Sequence, residues 1–179
     1  MSNLVRTAVD VPVLETERLV LRGHRPDDLA DSAAMWADPL VTRHIGATAL
    51  SYEAVWAKLL RQVGHWSWLG YGYWAIEEKA TGELIGEVGF LDGKRDLQPS
   101  LDGMPEIGWA LAASAHGKGF ATEAVRAAAA WGDAHLGADK TSCIIHQENL
   151  ASIRVAEKCG YREHARTTYK GGPTIVFTR

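Results

Sequence analysis

Little in this chain suggests a covalent or metal framework. Its two cysteines, Cys143 and Cys159, are too few for a disulfide scaffold and are not spaced as a paired ligand set. Both read as small buried apolar residues. The seven histidines include no HExxH and fall in no Cys/His cluster along the sequence, so no metal is expected. No apolar run reaches the length of a membrane span. Arg6, Asp10, Glu15 and Glu17 interrupt the opening stretch before a signal-type apolar core forms, which makes a cytoplasmic location the expectation and a membrane partner an unsuitable one. Nor does one charge dominate: 19 basic against 22 acidic side chains leave a net charge of -3, with the basic residues scattered. That distribution argues against a nucleic-acid partner.

What is present is ordinary globular material, 46% apolar and 23% charged over 179 residues. Such a chain suits one domain, residues 1–179, with one core. Leu14 to Arg22 alternates around Leu19 and Leu21 and reads as a first strand. A helix follows from Pro26 until Asp38-Pro39 breaks it. A second begins at Ser51, carries Val55, Trp56, Leu59, Leu60 and Val63 on one stripe, and stops before Gly64. His65 to Gly72 then reads as a loop whose aromatic residues either fill core or line a pocket.

Tyr73–Glu78 and Glu83–Leu91 flank a short glycine-ended loop and predict a hairpin. After a polar loop, Glu106–Ala112 is a central fourth strand. An alanine-rich helix runs from Thr122 to about Trp131, closing near Gly132 or Gly137. Lys140–His146 is a fifth strand. Asn149 caps a last helix with Ile153, Ala156 and Cys159 on one face and Gly160 in the left-handed position beyond it. Two short strands around Gly171-Gly172-Pro173 end the chain. This order implies an α+β, mixed α/β domain: a mostly antiparallel mixed sheet of about seven strands flanked by about four helices.

The segment with the clearest chemistry is the fourth strand, the turn His116-Gly117-Lys118-Gly119-Phe120-Ala121, and the helix that Thr122 leads into. The free N–H groups of a helix N-terminus lie at the positive end of its dipole and accept phosphate oxygens. Gly117 and Gly119 let the backbone approach closely, Lys118 adds a charge, and the Thr122 hydroxyl can donate to a further oxygen. A Walker loop requires glycine five residues before its Gly-Lys pair, where this chain has Ala112 or Val88. A dinucleotide fingerprint requires glycine or alanine at Thr122, and Gly70-Tyr71-Gly72 precedes a strand rather than a helix.

Gly119 and Ala121 fit instead the Gln/Arg-x-x-Gly-x-Gly/Ala signature, and the chain resembles the Gcn5-related N-acetyltransferase (GNAT) family. His116 stands in place of the usual Gln or Arg. ETERLVLRGHRPDD, PEIGWALAASAHGKGFATEAV and NLASIRVAEKCGY extend the resemblance along the chain, in the manner of the RimJ/RimL-like ribosomal-protein-alanine acetyltransferases. The resemblance implies an acetyl-CoA-dependent enzyme that moves acetyl directly to a primary amine, of a protein N-terminus or a small molecule, with the fourth and fifth strands splayed. It implies cofactor contacts from Trp109, Ala110 and Leu111, from His116, Gly117, Lys118, Gly119, Phe120, Ala121 and Thr122, and from Asn149 and Ser152.

Amine attack on a thioester needs a base and an oxyanion donor. Glu106 is the first candidate base and Glu87 the second, each with the alternative of an ion-paired strand carboxylate. The tyrosine that many relatives carry in the last helix is replaced by Ala156. Ser152 is the candidate to meet the leaving thiolate, the alternative being a first-turn serine bonded to backbone. His146 could replace either acid or base. Trp36, His44, Trp66, Trp68, Tyr71 and Glu87 are expected to line the acceptor pocket, and the tail strands and tryptophans to offer a homodimer contact. A non-catalytic acyl-CoA-binding or sensor protein on the same fold is the competing reading.

Overall fold

The computed structural model describes residues 9–46 and 48–179; residues 1–8, within the opening stretch read above, lie outside them. In chain order the elements are β1 (Leu14–Glu15), β2 (Leu19–Arg22), α1 (Leu29–Ala37), α2 (Pro39–Thr42), α3 (Tyr52–Leu69), β3 (Tyr73–Glu78), β4 (Leu84–Leu91), β5 (Glu106–Leu111), α4 (Phe120–His135), β6 (Ser142–His146), α5 (Leu150–Lys158), β7 (Arg162–Tyr169) and β8 (Gly172–Thr178). The strands form one sheet of eight, ordered β1-β2-β3-β4-β5-β6-β8-β7. Every neighbouring pair is antiparallel except β5 and β6, which are parallel and register only at Glu106 and Ser142. Beyond that pair the two strands part, as expected of the fourth and fifth strands. No helix among the described residues is long and apolar enough to cross a membrane.

Three expected boundaries are corrected. The single first strand is two antiparallel strands, because Thr16 closes a tight turn: its N–H donates to Leu19 O at 3.0 Å and its hydroxyl oxygen accepts from Leu19 N at 3.0 Å. Gly64 does not end α3, which runs to Leu69 and is capped by Gly70 at φ 72°. A helix-interior glycine costs only about 1 kcal/mol, less than burying Trp66 two residues later contributes, so the segment read as an aromatic loop is helix as far as Leu69. The buried stripe of α3 is Val55, Leu59, Gln62 and Trp66, leaving Trp56, Leu60 and Val63 exposed. Likewise α4 begins at Phe120 rather than Thr122 and ends at His135, just before Gly137; of the two glycines that could close it, it passes through Gly132, where a Cβ would stand 2.7 Å from the Phe90 ring. Glycine here allows α4 to lie close against β4.

Strand alternation gives the sheet two unlike faces. Leu21, Ile76, Val88, Phe90, Ile107 and Leu111 share one with Trp74 and pack with Phe120, Ala124, Val125 and Ala128 of α4 in the main apolar core. Trp66, Trp74 and Trp131 meet edge to face at centroid distances of 4.8 to 5.5 Å. The opposite face carries Arg22, Tyr73, Ala75, Glu77, Glu87, Glu106, Gly108 and Ala110 under α1 and α3. Only a small apolar cluster of Met35, Trp36, Val41, Val55 and Ala110 packs there.

Candidate active site

At the C-terminal end of β5 the chain makes a short 3-10 turn, Ala113–Ala115, and enters the glycine loop. Gly117 (φ +75°) and Gly119 (φ +83°) both occupy the left-handed region, which side chains other than glycine rarely adopt. Gly119 is the residue from which α4 starts. The amides of residues 117–122 find no hydrogen-bond acceptor among the described residues, and the first to bond is Glu123 N, to Gly119 O at 3.1 Å. Six successive unpaired donors at the positive end of a 16-residue helix make an anion cradle.

Side chains brace this loop from both ends. The His116 imidazole Nε2 lies 2.9 Å from Leu111 O, tying the turn back to the end of β5. From the far side, the β1–β2 turn holds the start of α4. The guanidinium of Arg18 donates to Lys118 O at 3.0 Å, lies 4.5 Å from the Phe120 ring centroid, and pairs with Glu123 at 2.7 Å. Arg18 N and the Thr16 hydroxyl also donate to Glu123, at 2.9 and 2.6 Å. Burial would raise the pKa of Glu123, but these bonds outweigh it and hold the carboxyl below the ordinary glutamate value.

Beside the loop lies the opening between β5 and β6. Ala110 and Leu111 are buried and Trp109 half-buried on the β5 side. Opposite, His146 ends β6 and Asn149 caps α5, its side-chain oxygen accepting from Ser152 N at 3.2 Å. Ser152 is half-buried in the first turn of α5.

The charged face stands over β4 and β5. Arg22 grips Asp28 through two bonds of 2.8 and 2.9 Å and Glu77 through a third of 2.8 Å, fixing the approach to α1. Asp28 is held below the usual carboxylate pKa because the Arg22 and Arg25 hydrogen bonds overcome the effect of burial. One strand further, Glu87 is 2% exposed and accepts from Lys58, whose ammonium also lies 4.7 Å from the Trp36 ring centroid. Burial pushes the Glu87 pKa up, yet the attraction of the Lys58 ammonium prevails and it stays below the ordinary value. Around this pair, Glu87 Oε2, both His24 ring nitrogens and Trp36 Nε1 are buried with no hydrogen-bond partner, and the Gln62 side chain lies beside Glu87, near enough to help lower its pKa. Buried polar atoms are nearly always paired, so this concentration sets the charged face apart from the apolar one.

Glu106 is also buried and ion-paired. Arg95 spans both of its oxygens, with Nη2 to Oε1 at 2.6 Å, and donates from Nη1 to the Tyr169 hydroxyl at 2.9 Å. Tyr73 crosses above β5: a Cβ on Gly108 would come within 2.1 Å of its hydroxyl. Burial, together with Glu106 and Glu87, raises the Tyr73 pKa and keeps it protonated.

Of the expected acceptor-lining residues, Trp36 and Glu87 meet on this face, while His44 lies beyond α2, its ring 5.6 Å from that of His146. Burial, Arg43 and His146 lower the His44 pKa. Trp66 is committed to the apolar core, with Nε1 donating to Tyr73 O at 3.0 Å. Trp68 is 90% exposed on α3, and Tyr71 packs against the main core. Lys58, Gln62, His24, Tyr73, Arg95 and Arg18 escaped the sequence reading. The signal for Gln62 was its place in the 55-59-62-66 stripe; for the others only the fold supplies it.

The geometry can be set beside known proteins. A family model described as an acetyltransferase (GNAT) domain matches residues 18–162. An uncharacterised N-acetyltransferase, p20 of Bacillus licheniformis, is 28% identical over 151 residues, covering 84% of this chain and 82% of p20. A solved GnaT-family acetyltransferase of Bordetella pertussis has a TM-score of 0.82 and 29% identity, covering 94% of this chain and 99% of that one. RimL, the ribosomal L7/L12 alpha-N-protein acetyltransferase solved with coenzyme A, has a TM-score of 0.74 over 94% of this chain and 97% of its own, and at 15% identity the likeness is one of fold.

Proposed function

The chain belongs to the GNAT acetyltransferase family, and from that premise we propose that it transfers acetyl from acetyl-CoA to a primary amine bound on the charged face of the sheet. The observation that carries this reading is the run of unpaired amides at 117–122 at the mouth of the β5–β6 opening. When bound, acetyl-CoA supplies an activated acetyl thioester. The loop amides, Lys118 and the Thr122 hydroxyl hold its pyrophosphate, and His116 and Arg18 keep the loop in shape. The parted edge of β5 at Trp109, Ala110 and Leu111 offers backbone partners to an extended amide-bearing arm, with Asn149 opposite.

Glu87 is the residue we assign to the acceptor amine. It is ionised, and its Oε2 is buried without a partner, so it can take an ammonium proton directly or through water. Glu106, with both oxygens held by Arg95, is better suited to orienting that arginine than to accepting a proton. Ser152 stands in the first turn of α5, across the opening from β5, and is our candidate donor to the departing sulfur. Trp36 and His44 line the approach. The three segments cited above support a place beside the RimJ/RimL-like enzymes, with a protein N-terminus as acceptor and a small amine as the alternative.

Calorimetric titration with acetyl-CoA and CoA, comparing wild type with Gly119→Trp, tests the cradle. Micromolar binding, on the order of -8 kcal/mol, lost in the variant, is expected. Thiol release is then measured with peptides bearing free N-termini and with small polyamines. Absence of binding by the folded wild type would overturn the proposal. Binding without thiol release for any amine would favour a sensor.

A further inference from the structure

We propose that His44, His146 and Glu148 form a site for a divalent transition-metal ion of the zinc type, spanning the mouth of the β5–β6 opening. One ligand atom from each residue lies within 4.8 Å of the others. The two imidazole rings stand 5.6 Å apart, 28° from parallel. Bonds of about 2.0–2.2 Å to zinc place tetrahedral ligand atoms about 3.4 Å apart, so closure needs shifts of roughly an ångström. Glu148 is exposed and free to swing, while both histidines are half-buried. The His146 ring rests against Gly172, where a Cβ would come to 3.3 Å of its Cδ2. Glu148 N donates to His146 Nδ1 at 3.3 Å, a long bond that orients the ring and is readily given up.

Two imidazoles and a carboxylate suit zinc, nickel or cobalt far better than magnesium or calcium, and leave a fourth position open. The ligands come from opposite sides of the opening. His44 follows α2, whose Val41 packs with Ala110 of β5, whereas His146 and Glu148 belong to the end of β6 and the turn into α5. A bound ion therefore ties the α2 corner to the β6–α5 turn, beside Asn149, so that occupancy and access to the opening are coupled. Metal binding itself does not depend on the transferase reading, and the test reads it directly.

The full chain, stripped with chelator, is titrated with zinc chloride by calorimetry and with cobalt(II) by visible absorption. One ion per chain is expected, at low-micromolar affinity, with cobalt bands of a low-coordinate site. His44→Ala and His146→Ala should each weaken binding by more than about tenfold, and Glu148→Gln by less. Zinc should raise the Tm of wild type but not of the two alanine variants, whose metal-free melts should match wild type and so show that they fold. Absence of saturable zinc binding by wild type, or undiminished affinity in both alanine variants, would overturn the site.

Discussion

The two faces of this sheet solve different problems with the same strands. Under α4, Val88, Phe90, Ile107 and Leu111 are wholly apolar, and the one polar atom of Trp74, Nε1, donates to Pro12 O at 2.7 Å. Under α1 and α3, the neighbouring positions hold Arg22, Glu77, Glu87 and Glu106, each with an oppositely charged partner. Burying apolar area contributes about 25 cal/mol per Å² with no further conditions. Burying charge returns little net stability even when paired, and loses heavily when one partner is removed. The apolar face therefore holds the fold, and the charged face carries the buried pairs on which the proposed acceptor site rests. Catalytic sites are where such pairs and perturbed carboxylates concentrate.

The largest expected effect lies on the apolar face. Trp74 is fully buried and edge-on to Trp66 and Trp131. Trp74→Ala should cost about 3–5 kcal/mol, read by urea denaturation, while thiol release per folded molecule changes little. If the loss fell below about 1 kcal/mol, the division of labour between the faces would be wrong.

Next comes the buried pair on the charged face. Glu87→Leu alone strands the Lys58 ammonium and should destabilise by about 3–5 kcal/mol at most. Adding Lys58→Met should recover that loss or improve on wild type by about 1–4 kcal/mol, yet leave acetyl transfer abolished with acetyl-CoA affinity unchanged. Restored stability with restored activity would remove Glu87 from the chemistry and leave the pair a structural feature.

How much of this division was readable depends on the range over which each signal acts. The glycine loop, the β3–β4 hairpin, Asn149 as a cap and Gly160 in the left-handed position (φ +89°) are local, and the fold keeps them. Gly64 misled, and of the two glycines offered as the end of α4 only Gly137 fits, because propensity is a weak prior that tertiary packing overrides: Gly64 lies in the turn before Trp66, Gly132 under Phe90. The stripe on α3 slipped because Trp56, Leu60 and Val63 are apolar but face outward, while a buried position holds Gln62. Polar partners were beyond reach altogether. Nothing near Glu106 announces Arg95 and Tyr169 around it, and His44 meets His146 only after the sheet forms. Periodicity tells which side of an element is buried, not which charges will meet there.

The smallest effect tests the charged face without breaking a pair. The His24 side chain is 3% exposed, and neither ring nitrogen has a hydrogen-bond partner. Burial lowers its pKa from 6.5, with Glu87 and Asp28 opposing the shift only in part. The unfolded chain thus takes up a proton near pH 6.5 that the folded chain refuses until lower pH. The stability linked to His24 is complete above that pH and is lost as pH falls through the folded pKa. A second loss begins in the ordinary carboxylate range, where the unfolded chain protonates Glu87 and Asp28, and continues as pH falls through their lower folded pKa values. Melting temperature should therefore decline between pH 7.5 and 5.5 in wild type and stay flatter in His24→Gln, while the steeper acid limb persists in both. Equal slopes in that window would mean that His24 is protonated in the fold and that this part of the charged face is wetter than its burial suggests.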